Sequence, residues 1–237
     1  MSDAGAIALK EWRELLGQRG LHGKFGIVLF MAVFGVVLPL QAGPKWITSP
    51  AMAMAWAWAP MFLVTTVIAD AFAGERERHT LETLLASRLS NGAILCGKMG
   101  AAIGYAGAVS GASLLLGVVA VNLVHARDGI LFYRFPVVLS IAVLGFLGAL
   151  LVAAFGTLIS LRATTVRQAQ QTISGAIMVA LFVPIALVRI APAEWTAGWA
   201  WNTVGMAVLG MGAFVALDVA VVALAVIRFE RGRLIGS

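Results

Sequence analysis

Charge is scarce in this chain: Asp, Glu, Lys and Arg make up 12% of 237 residues, while 61% are hydrophobic. A soluble domain carries about a quarter charged residues. This chain lacks the polar surface to fold in water and needs lipid to cover its apolar excess. Cysteine occurs once, as Cys96, which excludes an internal disulfide and a cysteine metal cluster. The three histidines, His22, His79 and His125, are scattered without ligand spacing. The first 23 residues carry Asp3, Lys10, Glu11, Arg13, Glu14 and Arg19 and no apolar run of the kind a cleavable signal needs. Acidic residues are outnumbered, giving a net charge of +6. No basic face is interleaved with aromatics, so nucleic acid is excluded as a partner. Lys and Arg retained on the cytoplasmic side of a membrane account for the excess.

What the chain has instead is long hydrophobic runs. About 20 apolar residues cross a bilayer, and six runs qualify: 24–43, 52–73, 97–124, 135–161, 172–190 and 204–227. The expected fold class is all-α integral membrane, with a single transmembrane domain over residues 1–237. Placing the basic residues on alternate faces puts Lys10, Arg13, Arg19, Lys24, Arg76, Arg78, Arg88, Lys98, Arg162, Arg167, Arg228, Arg231 and Arg233 on one side. Only Lys45, Arg127, Arg134 and Arg189 fall on the other. The asymmetry predicts cytoplasmic N and C termini, and an even number of spans agrees. The outer loops are short, and the last carries Trp195, Trp199 and Trp201, an aromatic belt at headgroup level.

Residues 4–20 are too charged to span. Ala4, Ala8, Leu9, Trp12, Leu15 and Leu16 share one arc of a helix, with Lys10, Arg13 and Glu14 opposite. Such a helix lies in the membrane interface or packs on the protein itself. Gly17, Gly20 and Gly23 are expected to break it and turn the chain into the first span.

The most charged segment between spans is 74–96, on the cytoplasmic side. Glu75, Arg76, Glu77 and Arg78 lead it, and Thr80 is placed to cap a new helix with Glu82 in its first turn. Leu81, Leu84, Leu85 and Leu89 make one apolar stripe. Ser87, Ser90, Asn91 and Gly92 read as a loop before the third span. A short amphipathic helix of this kind suits a groove in a soluble partner, or rests its leucines on the membrane surface.

The segment resembles the signature of type-2 ABC exporter permeases. The matching residues are Glu75-Arg76-Glu77-Arg78, Thr80-Leu81-Glu82, the pair Leu84-Leu85, and Gly97-Lys98 entering the third span. The layout is similar over the full length: an interfacial elbow helix, six spans and both ends inside. Two positions depart from the pattern: His79 stands where the family usually has Gly, and Arg88-Leu89 where it often has Pro. The resemblance implies a transport subunit, not an enzyme, in a bacterial cytoplasmic (inner) membrane. Its 74–96 segment would contain the coupling helix that binds a separate ATPase subunit. The implied contact residues are Glu75, Arg76, Glu77, Arg78, Thr80, Leu81, Glu82, Leu84, Leu85 and Arg88. It further implies a second permease copy, identical or a close paralogue, and membrane lipids as partners. ATP and Mg would be bound by the partner chain and no cofactor by this one. The second and fifth spans would lie nearest the dimer axis.

Other residues invite weaker readings. Asp218 is the one acidic residue deep in a span, where charge is expensive; it serves as an interhelical hydrogen bond or a substrate contact. Asp70 lies at the mouth of the second span, within reach of Arg76 or Arg162. Met52 and Trp56 form a bulky row that, with Asp70 and Asp218, marks a possible substrate path. Gly100, Gly104, Gly107 and Gly111 suit close helix packing. Residues 92–99 nearly match a phosphate-binding loop, but Met99 offers no hydroxyl for magnesium and no strand precedes it. The alternatives in function are a haem-exporter-like subunit of cytochrome c maturation and a membrane-embedded lipid-modifying enzyme. The enzyme would need clustered carboxylates or histidines at one membrane face. A passive channel would need a charged ring, and none is evident.

Overall fold

Inside hydrocarbon a backbone amide finds no water, so apolar runs close their hydrogen bonds within helices. A computed structural model describes residues 3–17, 21–49, 52, 56–80, 89–125, 129–190 and 203–229, and regular structure among them is helical throughout. The helices are α1 (Asp3–Gly17), α2 (Leu21–Ala32), α3 (Leu38–Ala42), α4 (Lys45–Thr48), α5 (Ala59–Ala69), α6 (Glu75–Glu77), α7 (Asn91–His125), α8 (Phe135–Ser160), α9 (Val166–Ile190) and α10 (Thr203–Arg228). Four stretches are long and apolar enough to cross a membrane: Phe25–Ala42, Asn91–His125, Phe135–Ser160 and Met211–Arg228. They answer to the expected first, third, fourth and sixth spans, so the chain is a multi-pass membrane protein. The expected second and fifth spans are helical over Ala59–Ala69 and Val166–Ile190 and are not among those four. The Trp-rich outer loop lies outside the described residues, as do Leu81, Glu82, Leu84, Leu85 and Arg88.

Two helices begin earlier than the hydropathy suggests, each because a side chain caps it. The Ser90 hydroxyl accepts the Ala93 amide at 3.2 Å, so Asn91 and Gly92 form the first turn of α7 rather than a loop. At 35 residues, α7 is about 52 Å long and overruns a hydrocarbon core of about 30 Å. The Thr165 hydroxyl accepts the Gln168 amide at 3.1 Å, and α9 opens on a polar turn six residues before the expected span. Gly23 lies inside α2 and does not break it.

The chain divides into two compact units, 1–64 with 89–150 and 65–88 with 151–237. In the first, α1 packs along α7. A Cβ at Gly97 would come within 2.7 Å of the Ile7 side chain, and one at Gly104 within 2.8 Å of the Trp12 ring. Glycine at these two positions lets the helices approach closely. A Cβ at Gly100, Gly107 or Gly111 would meet nothing within 4 Å, so of the four glycines that spacing suggests only Gly104 packs closely, and Gly97, outside that set, joins it. The interfacial arc is therefore divided: Trp12 meets α7 at Gly104 while Leu9 stays exposed, and Ile7, which the arc did not include, is buried against α7.

Between α2 and α3 the helix widens into a π turn, Val33–Val37. Pro39 supplies no amide for the Gly35 carbonyl, and the Leu38 amide reaches back to Val33. Gly35 in that turn lies against Ser113 of α7. Trp46, Ile47, Trp56, Ala59, Val121 and Ile141 form the core of this unit. The Asn122 side chain exchanges two hydrogen bonds with the Leu131 backbone, at 2.7 and 2.8 Å, and fixes the segment entering α8.

Candidate functional site

In the second unit, the end of the second expected span is opened by a hydroxyl. Ser160 donates to the Ala69 carbonyl at 2.9 Å and accepts the Ala73 amide at 3.0 Å. Those two backbone groups would otherwise bond each other in a regular helix. The inserted side chain widens the turn into the π segment Asp70–Gly74. A Cβ at Gly156, one turn before Ser160, would meet Ile68 at 2.5 Å, so α8 lies tight against this helix.

The residues that follow grip the connection between α8 and α9. Arg76 donates to the Ala163 carbonyl at 2.6 Å and to the Leu161 carbonyl at 2.8 Å. Both carbonyls lie just past the C-terminus of α8, where a helix leaves acceptors unmet and the dipole favours a cation. Glu77 accepts the Val166 amide at 2.8 Å, at the N-terminus of α9, where a carboxylate is favoured. One arginine and the next glutamate thus cap two successive helices.

The chain then turns sharply. His79 donates to the Arg76 carbonyl and Thr80 to the Glu75 carbonyl, at 3.1 and 2.9 Å. This is a Schellman closure, and it holds His79 at φ 55°. That left-handed conformation favours glycine, which explains physically why a glycine is expected at this position. The Thr80 hydroxyl points back to the Glu75 carbonyl at 3.3 Å.

The sequence-expected contact residues therefore divide. Glu75 is buried, Arg76 and Glu77 bind the α8–α9 connection, and Arg78 pairs with Asp70 at 3.2 Å. Asp70 pairs with neither Arg76 nor Arg162, because Arg76 is taken up by carbonyls. The Asp70–Arg78 pair is solvent-exposed and adds little stability. Of the possible path residues, Met52 is exposed, whereas Trp56 is buried with its ring 5.8 Å from Trp46 and 6.0 Å from Phe34. Trp56 also borders an apolar cavity of about 470 Å³ walled by Phe30, Phe34, Leu38, Trp46 and Phe62 in the first unit. Asp218 is 1% exposed, and neither carboxylate oxygen has a hydrogen-bond partner among the described residues. It makes no interhelical hydrogen bond there.

Sequence reasoning missed Ser160 and the carbonyls of Leu161 and Ala163. Backbone acceptors carry no side-chain signal. The one available hint was a lone serine closing an apolar run, followed by only five residues before the next helix.

The sequence profile of a family described as "ABC-2 family transporter protein" matches residues 45–202, about two-thirds of the chain. A comparison with curated proteins finds no match. The matched region contains α5, the clamp formed by Arg76 and Glu77, and the full lengths of α7, α8 and α9. With multi-pass helices and this match together, the chain belongs to the ABC-2 family of transporter proteins and is a membrane permease subunit.

Proposed function

We propose that this permease works as half of a dimer with a separate ATPase, exporting an apolar or amphipathic cargo from the cytoplasm or inner leaflet of a bacterial inner membrane. It crosses six times, with both termini inside, and ATP and Mg bind to the partner chain. The 74–96 segment contains the coupling helix that the ATPase moves.

The observation that carries this reading is the Arg76–Glu77 clamp. A coupling helix needs a stiff attachment to the spans, because motion lost in a loose loop never reaches the membrane. The clamp ties the segment before residue 81 to both α8 and α9 through three charge-assisted bonds. A displacement of the helix is thereby shared by the second, fourth and fifth spans together. The cavity walled by Phe30, Phe34 and Trp56 supports an apolar cargo or an acyl chain.

The test is whether the neighbouring reading frame encodes an ATPase and whether that ATPase co-purifies with this chain. Leu84→Asp puts a carboxylate on the apolar stripe. It is expected to abolish the association while the permease stays monodisperse. Undiminished association would remove the assigned contact.

A further inference from the structure

The α8–α9 connection also borders a second cavity, of about 440 Å³, in the second unit. Its polar wall carries Arg162, Arg228 and Gln168, and its apolar wall Phe155, Leu158 and Leu224. No carboxylate lines it, and among the described residues neither arginine makes an ion pair. Both arginine side chains are exposed, while the chain beside each is anchored. Arg76 binds the carbonyls on either side of Arg162. Phe229, next to Arg228, is buried with its ring 5.6 Å from Phe72. Gln168 accepts from Thr164 through its carbonyl oxygen, which leaves the amide NH₂ as a further donor. The apolar wall opens outward, since Phe155 and Leu224 are 40% and 43% exposed.

We propose that this cavity binds an anionic phospholipid, its phosphate between Arg162 and Arg228 and an acyl chain along Phe155 and Leu224. Among the described residues the two exposed guanidiniums have no carboxylate partner and line one cavity, which favours an anion there, and arginine matches phosphate oxygens in bidentate fashion. The outward apolar wall distinguishes a lipid from a free phosphate, which would leave those side chains uncovered. Basic pockets between helix ends bind acidic headgroups in the cytoplasmic leaflet by the same logic; the leaflet, though not the site, rests on the orientation proposed above.

Native mass spectrometry of the full-length protein, delipidated in detergent and titrated with phosphatidylglycerol or phosphatidylcholine, tests it. The wild type is expected to retain phosphatidylglycerol preferentially. R162Q/R228Q is expected to bind it about 10- to 30-fold more weakly, and R162K/R228K to fall between, keeping the charge but losing the bidentate fork. Equal retention of the two lipids by the wild type overturns the proposal, and needs no variant to fold. So does undiminished binding by a monodisperse R162Q/R228Q. Inorganic phosphate at millimolar concentration serves as the competing arm: failure to displace the lipid supports the site, whereas displacement identifies a free-phosphate site and overturns it.

Discussion

Lys98 donates to Glu11 at 2.7 Å, joining α1 to α7 across 87 residues of sequence, with the Lys98 side chain 1% exposed. Lys98 is the lysine of the Gly97-Lys98 step at the start of the third expected span. The pair thus joins the N-terminal helix to the base of α7, beside the glycine that receives Ile7. Removing the carboxylate leaves a buried ammonium without its main counter-charge, which costs about 3–5 kcal/mol in comparable pairs. Glu11→Ala is expected to lower the unfolding temperature more than Lys98→Met does, and Glu11→Leu combined with Lys98→Met to recover part of the loss. A double-mutant cycle in thermal unfolding reads it, and additive effects would show that the pair does not hold α1.

The glycines of α7 differ in what surrounds them. Gly97→Ala and Gly104→Ala each drive a Cβ into α1 and should loosen that helix, exposing the bonds after Lys10 and Arg13 to trypsin. Gly100→Ala meets nothing. It should be neutral or stabilising by up to about 1 kcal/mol through helix propensity. Equal trypsin protection in all three variants would contradict the docking.

His79 occupies a left-handed turn. His79→Gly should raise the unfolding temperature, relieving about 1 kcal/mol of backbone strain. His79→Val should lower it, because a β-branched residue fits that region worst. The reverse order would mean that the His79 side chain, not its backbone, decides stability here.

On the proposed function, variants of the clamp should separate binding from transmission. Arg76→Met removes two charged hydrogen bonds, each contributing about 1.5–3 kcal/mol. It is expected to leave ATPase association intact while reducing transport at least about tenfold, roughly what losing one such bond amounts to. Glu77→Lys reverses the charge at the α9 N-terminus and should reduce both. Full transport by Arg76→Met, measured in proteoliposomes with the ATPase, would remove the clamp from the pathway of force.

Tyr133, just before α8, carries a buried hydroxyl. Burial pushes it up to about 12, from an ordinary value of 10; the Trp46 indole beside it pulls the other way without reaching hydrogen-bond geometry. A raised pKa in the folded state favours the protonated form. Its contribution to stability is complete below pH 10 and is lost as pH climbs from 10 towards 12. Unfolding temperatures measured between pH 9 and pH 11 should fall more steeply for the wild type than for Tyr133→Phe; parallel slopes would show that Tyr133 is not the responsible group.

Membrane class, helix type and the uneven distribution of basic residues were legible in the chain itself. They depend on composition and on periodicity, which act over one or two turns. The charged run from Glu75 to Arg78 was legible for the same reason, and it marked the segment before any coordinate did. Partners were not legible. Arg76 reads in sequence as a surface charge facing a soluble subunit, but two carbonyls past α8 take up its guanidinium. Glu77 reads likewise, but it caps α9. Their partners lie 85 to 89 residues away and include backbone groups, whose positions no side-chain pattern encodes. The path of the N-terminal helix was undecided for a similar reason. Its apolar arc suits lipid and protein equally, and only the notches at Gly97 and Gly104 decide that one edge of it belongs to α7. Hydrophobic pattern fixes which surfaces must leave water; close packing over long sequence separation chooses what they meet.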